Sequence, residues 1–159
     1  MANMIWLIHF AATWFMVGLI WFVQIVHYPL YDRVGPDLFS VYAEAHTRMT
    51  TWVVAPVMIL ELITAVALLY FVPPGMSLGQ LLWAFILLGL IWLSTAFLQV
   101  PCHGKLQMGY DASVHHFLTQ SNWVRTVLWS LRGLLLLLLL WGTLSQNAGQ
   151  YKGLPHDLP

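Results

Sequence analysis

The chain has 159 residues, 60% of them hydrophobic and 8% charged, with six basic residues against six acidic ones. A soluble domain carries roughly 25% charged residues, so this composition excludes a soluble globular protein and fits one integral membrane domain. Zero net charge without a basic patch of interleaved aromatics argues against nucleic acid as a partner, and the single Cys102 excludes an intrachain disulfide. Nine Trp and six Tyr suit the aromatic belts of a bilayer protein, while seven His stand out among so few polar residues.

Met4 to Tyr28 reads as the first span. It lacks a basic leader and is too long for the apolar part of a signal peptide, so it is kept as a mature helix. Its polar residues His9, Thr13, Gln24 and His27 fall broadly on one side of a 3.6-residue helix. Pro29 is the expected end.

Leu30 to Arg48 forms a long connection. Gly35-Pro36-Asp37 signals a helix start, and Leu38, Val41, Tyr42 and Ala45 follow helical spacing. This segment is expected as a short interfacial helix before the second span, or as a continuous extension of that span.

Met49 to Val72 is the second span, 24 residues with one charge, Glu61, near the middle. It is long enough to cross a hydrocarbon core of about 30 Å. A carboxylate at that depth is costly unless it is paired, protonated or bound to a cation. Pro56 cannot donate to the carbonyl of Trp52 and is expected to kink the helix. Pro73-Pro74-Gly75 closes the span with a turn.

Gly79 to Val100 is the third span, with Pro101 as its expected end. Trp92, Thr95, Gln99 and His103 share a face if the helix persists past Pro101. Cys102 to Leu118 is the second long connection, and Asp111 looks like an N-cap for the last helix. The fourth span runs from about Thr119 to Leu144 and contains seven consecutive Leu. His115, Leu118, Asn122, Arg125, Trp129 and Arg132 form a polar stripe opposite that Leu-rich face. Residues 145–159 read as a flexible tail to a transmembrane domain of residues 1–144. The fold class is therefore all-α, a four-transmembrane-helix bundle.

Four spans put both termini on one side and both long connections on the other. Arg33, Arg48 and Lys105 lie on the connection side, with Arg125 nearby, so the positive-inside rule predicts cytoplasmic connections and external termini. His27, His46, His103, His115 and His116 then all lie near one membrane face, with Gln24 and Gln99 just inside it. Histidine is the commonest metal ligand, and bundles build metal and cofactor sites from inward side chains on facing helices. Imidazole-rich ligation suits Zn, Cu or Fe, whereas a hard cation needs several carboxylates. A metal or haem-iron site of His27, His46 and His103, completed by His115 or His116, is the sharp expectation, with Gln24 and Gln99 orienting the rings. The plain alternative is that interfacial histidines bond water, headgroups and loop carbonyls. No HExxH or CxxC motif is present.

Glu61 lies 13 residues past Arg48, and Arg132 lies 13 past Thr119, on helices running the same way. At about 1.5 Å per residue both reach the membrane centre. A buried ion pair that locks helix packing is the first reading. The catalytic reading has Arg132 holding an anionic group such as a propionate or carboxylate, with Glu61 accepting a proton or binding a cation. Asn122 and Arg125 add cofactor-binding candidates, although Arg125 could equally snorkel to the interface. Trp14, Trp52, Trp92, Trp123 and Trp129 read as packing and belt residues.

The stretches WLIHFAATWFMVGLIWFVQIVHYPLYDRVG, HTRMTTWVVAP, IWLSTAFLQVPCH and NWVRTVLWSLRG resemble an uncharacterised family of small four-helix bacterial inner-membrane proteins. The spacing of His9, Gly18 and Pro29, with His46-Thr47-Arg48, more weakly resembles membrane haem-containing protoporphyrinogen oxidases and copper-resistance D-type proteins. That second resemblance covers the first half only, and implies haem or copper with His9 as a haem-ligand candidate. Small anthrone-oxygenase-like membrane proteins are a more remote resemblance.

Three functions compete. One is a metal- or haem-dependent membrane oxidoreductase acting on a lipid-soluble molecule. Another is a non-catalytic subunit that packs in a larger membrane complex or a homo-oligomer. The last is a small transporter that couples protons through Glu61.

Overall fold

The computed structural model describes the backbone of residues 1–152 and the side chains of residues 1–146. Among these residues every regular element is helical. Helix α1 (Ala2–Phe22) runs into a π-helical turn (Val23–His27) and a 3-10 turn (Tyr28–Arg33). Helix α2 (Pro36–Tyr70) follows after two residues. Helix α3 (Leu78–Ser94) continues through a second π turn (Thr95–Gln99) into α4 (Val100–Leu106). Helix α5 spans Ala112–Lys152. The four resulting stretches, Ala2–Arg33, Pro36–Tyr70, Leu78–Leu106 and Ala112–Gln146, are each long and apolar enough to cross a membrane. The chain is an integral membrane four-helix bundle.

Neither Pro29 nor Pro101 ends its span, contrary to expectation. Each follows a π turn in which one N–H reaches back five residues: Tyr28 to the carbonyl of Val23, and Val100 to that of Thr95. The wider turn accommodates the ring and absorbs the donor that proline withholds. The segment before the second span is a continuous part of α2, which begins at Pro36 and runs through Pro56. Helix α5 extends past Leu144 into the segment expected as a tail, whose last residues, 153–159, lie outside the described ones.

Local signals set the ends. Ser77 and Gln80 form a reciprocal capping box at the start of α3. The Asp111 carboxylate accepts from Ser113 N and Oγ and from Val114 N, at 2.8, 2.6 and 3.0 Å, capping α5. Those bonds, the Ser113 hydroxyl first, hold its carboxyl below the usual range. Gly75 takes a positive φ of 81° in the turn after Pro73-Pro74.

The spans close a ring in chain order: α1 packs on α2 and α5, and α3 packs on α2 and α5. Gly133 permits close approach of α1 to α5, since a Cβ there would stand 3.0 Å from Val17. Inside the ring, apolar and polar layers alternate. Trp6, Leu68, Leu81, Leu136 and Leu139 fill the terminal end. Met16, Ile20, Met58, Ile91 and Trp129 fill the middle. Tyr28, Tyr31, Phe39, Cys102, Leu106 and Leu118 fill the connection end. Buried polar side chains occupy the two levels between them.

Candidate functional site

The central polar layer joins all four spans. Arg132 and Glu61 form an ion pair with both side chains fully buried. Arg132 also donates from Nε to the Ala84 carbonyl (3.1 Å), from Nη1 to Thr13 Oγ1 (3.0 Å) and from Nη2 to His9 Nε2 (2.7 Å). A guanidinium only donates, so His9 Nε2 accepts and its proton sits on Nδ1. That Nδ1–H donates to Thr64 Oγ1 at 2.7 Å, and the Thr64 hydroxyl donates to the Leu60 carbonyl at 2.7 Å. The second Glu61 oxygen accepts from Trp129 Nε1 at 3.2 Å. Charge and donors are therefore matched inside the bundle, as burial requires.

The outer polar layer is different. Gln24 donates to the Thr119 carbonyl at 3.1 Å and accepts from Asn122 Nδ2 at 2.8 Å. Asn122 Oδ1 accepts from Arg125 Nε and Nη2 at 2.9 and 2.5 Å. Arg125 Nη2 donates to the Tyr28 hydroxyl at 3.2 Å, which leaves the Tyr28 O–H free to donate to His103 Nε2 at 3.0 Å. Gln99 accepts from Ser94 of its own span at 3.1 Å and donates across to Ser121 of α5 at 3.2 Å. Among the described residues no carboxylate lies within ion-pair distance of Arg125.

Three of the five predicted histidines meet. His27 Nε2 and His46 Nδ1 are 2.9 Å apart, and the His46 and His103 rings lie 5.8 Å centre to centre. Thr50 Oγ1 is 3.1 Å from His46 Nδ1. His115 instead bonds the Tyr28 carbonyl at 2.8 Å and stacks on Tyr31, and His116 does not line the cavity that the other three border. Among the described residues no three His, Cys, Asp or Glu side chains are grouped closely enough to hold a metal ion. Neither Gln24 nor Gln99 orients a histidine ring as expected, because both amides turn toward α5, and Tyr28 holds His103 in their place. His9, the haem-ligand candidate, has both ring nitrogens engaged within the central layer.

These three histidines form the polar end of a cavity of about 620 Å³. Its apolar end lies between Met16, Ile20, Met58, Trp92 and Trp129. The cavity exists because one helix stands off. No residue of α2 between Ala43 and Met58 is buried, while the first, third and fourth spans all fill the outer layer. Trp92, Thr95, Gln99 and His103, one face of a helix that persists past Pro101, all line it. Trp129 is its floor and also holds Glu61, so the cavity and the ion pair share a side chain.

Sequence reasoning placed the buried stripe of Leu118, Asn122, Arg125, Trp129 and Arg132 on one face of the fourth span. It missed Thr64 and Tyr28 as polar partners, and it read Trp129 as packing or belt. Thr64 lies three residues past Glu61 and Tyr28 four past Gln24, each one helical turn from a singled-out residue. Comparison with protein-family models, curated proteins and solved structures found no match.

Removing one partner of the central pair strands a buried charge. Arg132→Leu or Glu61→Leu is expected to destabilise the bundle by about 3–5 kcal/mol. The double substitution should cost less than the two single losses added together. Equilibrium unfolding in mixed micelles measures both, and simple additivity would show that the pair is not energetically coupled.

Proposed function

We propose that this membrane protein takes a lipid-soluble molecule into the cavity beside α2, with His27, His46 and His103 as the chemically active end. The observation that carries this reading is the stand-off of α2. Three spans bury side chains at that level, the second buries none between Ala43 and Met58, and a cavity of about 620 Å³ takes its place. That volume is within the range of sites for one small molecule, roughly 300–1,000 Å³. Its margin includes Ile59 and Val100, 48% and 59% exposed on flanks that face lipid, so access is from the bilayer. Neutral imidazoles both donate and accept, and a hydrogen-bonded pair such as His27–His46 can relay a proton to or from a bound polar group.

A second reading is the metal- or haem-dependent oxidoreductase. The approach of His27 to His46 at 2.9 Å, with His103 beside them, favours it. Two imidazole nitrogens each about 2.0–2.1 Å from a tetrahedral zinc stand somewhat further apart than this pair. Loading zinc would require the pair to open, and loading any ion would require it to give up its shared proton. The chain is further read as a bacterial inner-membrane protein with external termini and cytoplasmic connections, supported by Arg33, Arg48 and Lys105 on the connection side.

Saturable binding of radiolabelled dodecanol to the detergent-purified protein is the expected result. Gly104 lines the cavity, and a Cβ there would meet nothing within 4 Å. Gly104→Leu should therefore fill the space, leave the fold intact and lower dodecanol affinity. Failure of wild type to saturate would return the chain to a packing role in a larger complex or to proton-coupled transport.

Elemental analysis and an absorption spectrum test the second reading. Stoichiometric Fe, Cu or Zn, or a Soret band, that is lost in His27→Ala, His46→Ala and His103→Ala would support it. Their absence from wild type purified from metal-replete cells would reject it.

Orientation is tested by labelling His46→Cys and His115→Cys from each side of sealed vesicles, in a Cys102→Ala background. Both are expected to react from the cytoplasmic side only, and labelling from opposite sides would overturn the four-span topology.

A further inference from the structure

We propose that the molecule held in the cavity is a single-chain amphiphile with a carboxylate head group, anchored by Arg125. This rests on the ligand-binding reading above and names the ligand class. Arg125 is 7% exposed and lines the cavity. Its Nε and Nη2 donate only to neutral partners, the amide oxygen of Asn122 and the hydroxyl of Tyr28. Its Nη1 has no acceptor among the described residues, and no carboxylate lies within ion-pair distance. Arg132, seven residues further along the same helix, shows how this bundle treats a buried guanidinium when it supplies the counter-charge itself: Glu61 is provided and every guanidinium nitrogen has an acceptor. A buried cation without such a partner is costly in a membrane interior. An anion that enters the cavity removes that cost.

The surroundings narrow the anion. No acidic residue lines the cavity, so nothing there repels a negative group. One uncompensated positive charge is balanced by one negative charge, which fits a carboxylate better than a dianionic phosphate monoester. One carboxylate oxygen would take Arg125 Nη1, and the other would find donors among His46, His103 and Thr50, which line the same polar end. The rest of the occupant is set by the opposite end. Met16, Met58 and Trp129 line a path from the outer polar layer toward the membrane centre. Head toward the membrane face and tail toward the centre is the polarity of a molecule resting in one leaflet. The cavity volume suits one chain rather than two.

The test compares two twelve-carbon probes on the full-length protein in nonionic detergent at about pH 9, where a carboxyl is ionised. Radiolabelled dodecanoate is expected to saturate one site per chain with about tenfold higher affinity than dodecanol. Arg125→Gln should bring dodecanoate down to the affinity of dodecanol, and Arg125→Lys should keep part of the preference. Equal affinity of the two probes for wild type would overturn the carboxylate assignment and leave the cavity reading standing, and that comparison needs no variant. A preference that survives Arg125→Gln would also overturn it. Loss of saturable binding for both probes in wild type would overturn the cavity reading together with this one. Stoichiometric displacement of dodecanoate by phosphatidylglycerol would give the cavity to a bilayer phospholipid and reject the single-chain occupant.

Discussion

The ion pair of Arg132 with Glu61 is the constraint around which the bundle is arranged. A guanidinium and a carboxylate in a hydrocarbon-depth interior must satisfy each other and nearly every remaining lone pair and proton. The other spans supply the partners. His9 and Thr13 come from α1, Thr64 from α2 beside Glu61, the Ala84 carbonyl from α3, and Trp129 from α5. Each contact fixes one helix in rotation and depth. Packing between apolar helices in lipid has little hydrophobic driving force of its own, so this polar layer supplies register that interchangeable Leu side chains cannot. The same engagement commits His9 and Glu61 to structure, which weighs against a free haem ligand or an idle proton carrier at the bundle centre.

The outer polar layer uses the same residue types to a different end. Gln24, Asn122 and Arg125 form a chain of hydrogen bonds that passes through Tyr28 to His103 and so reaches the cavity. Its one charge is uncompensated among the described residues. A layer that only locked helices together would be neutral or paired. The contrast between Arg132 and Arg125 is therefore a contrast between a finished interior and one left open on the side of α2.

The spans, the buried stripe on α5 and the depth match of Glu61 with Arg132 were legible because hydropathy and helical period report them directly. The histidines were legible only as a set near one face. Their sorting depends on side-chain direction: His27, His46 and His103 turn into the cavity, while His115 turns onto the Tyr28 carbonyl. The glutamines were misassigned for the same reason, since one helical turn from a histidine does not fix which neighbour an amide faces. Pro29 and Pro101 misled because proline ends a regular helix, and a preceding π turn removes the conflict that would end it. Without Pro101 inside a continuous helix, His103 would not stand on the face of Trp92, Thr95 and Gln99.

The chemistry of α2 itself allows that helix to stand away from its neighbours. A helix wall beside a cavity must satisfy its polar groups without help from across the gap. Thr47 donates to the Ala43 carbonyl at 2.8 Å and Thr51 to the Thr47 carbonyl at 2.7 Å, so both hydroxyls fold back onto the helix. Thr50 is the exception and pairs with His46, which turns it toward the cavity. Bonds of the Thr47 and Thr51 kind tend to bend a helix, and Pro56 comes one turn later with its withheld N–H. The two π turns sit on the facing helices, Val23–His27 and Thr95–Gln99; Tyr28 follows the first directly and His103 stands one helical turn past the second. Irregular backbone in a membrane interior is tolerated where it lines a cavity. The two π turns, and Pro56 with its withheld N–H, thus lie on the three spans that border one space, and the site arises where the helix ladders are interrupted.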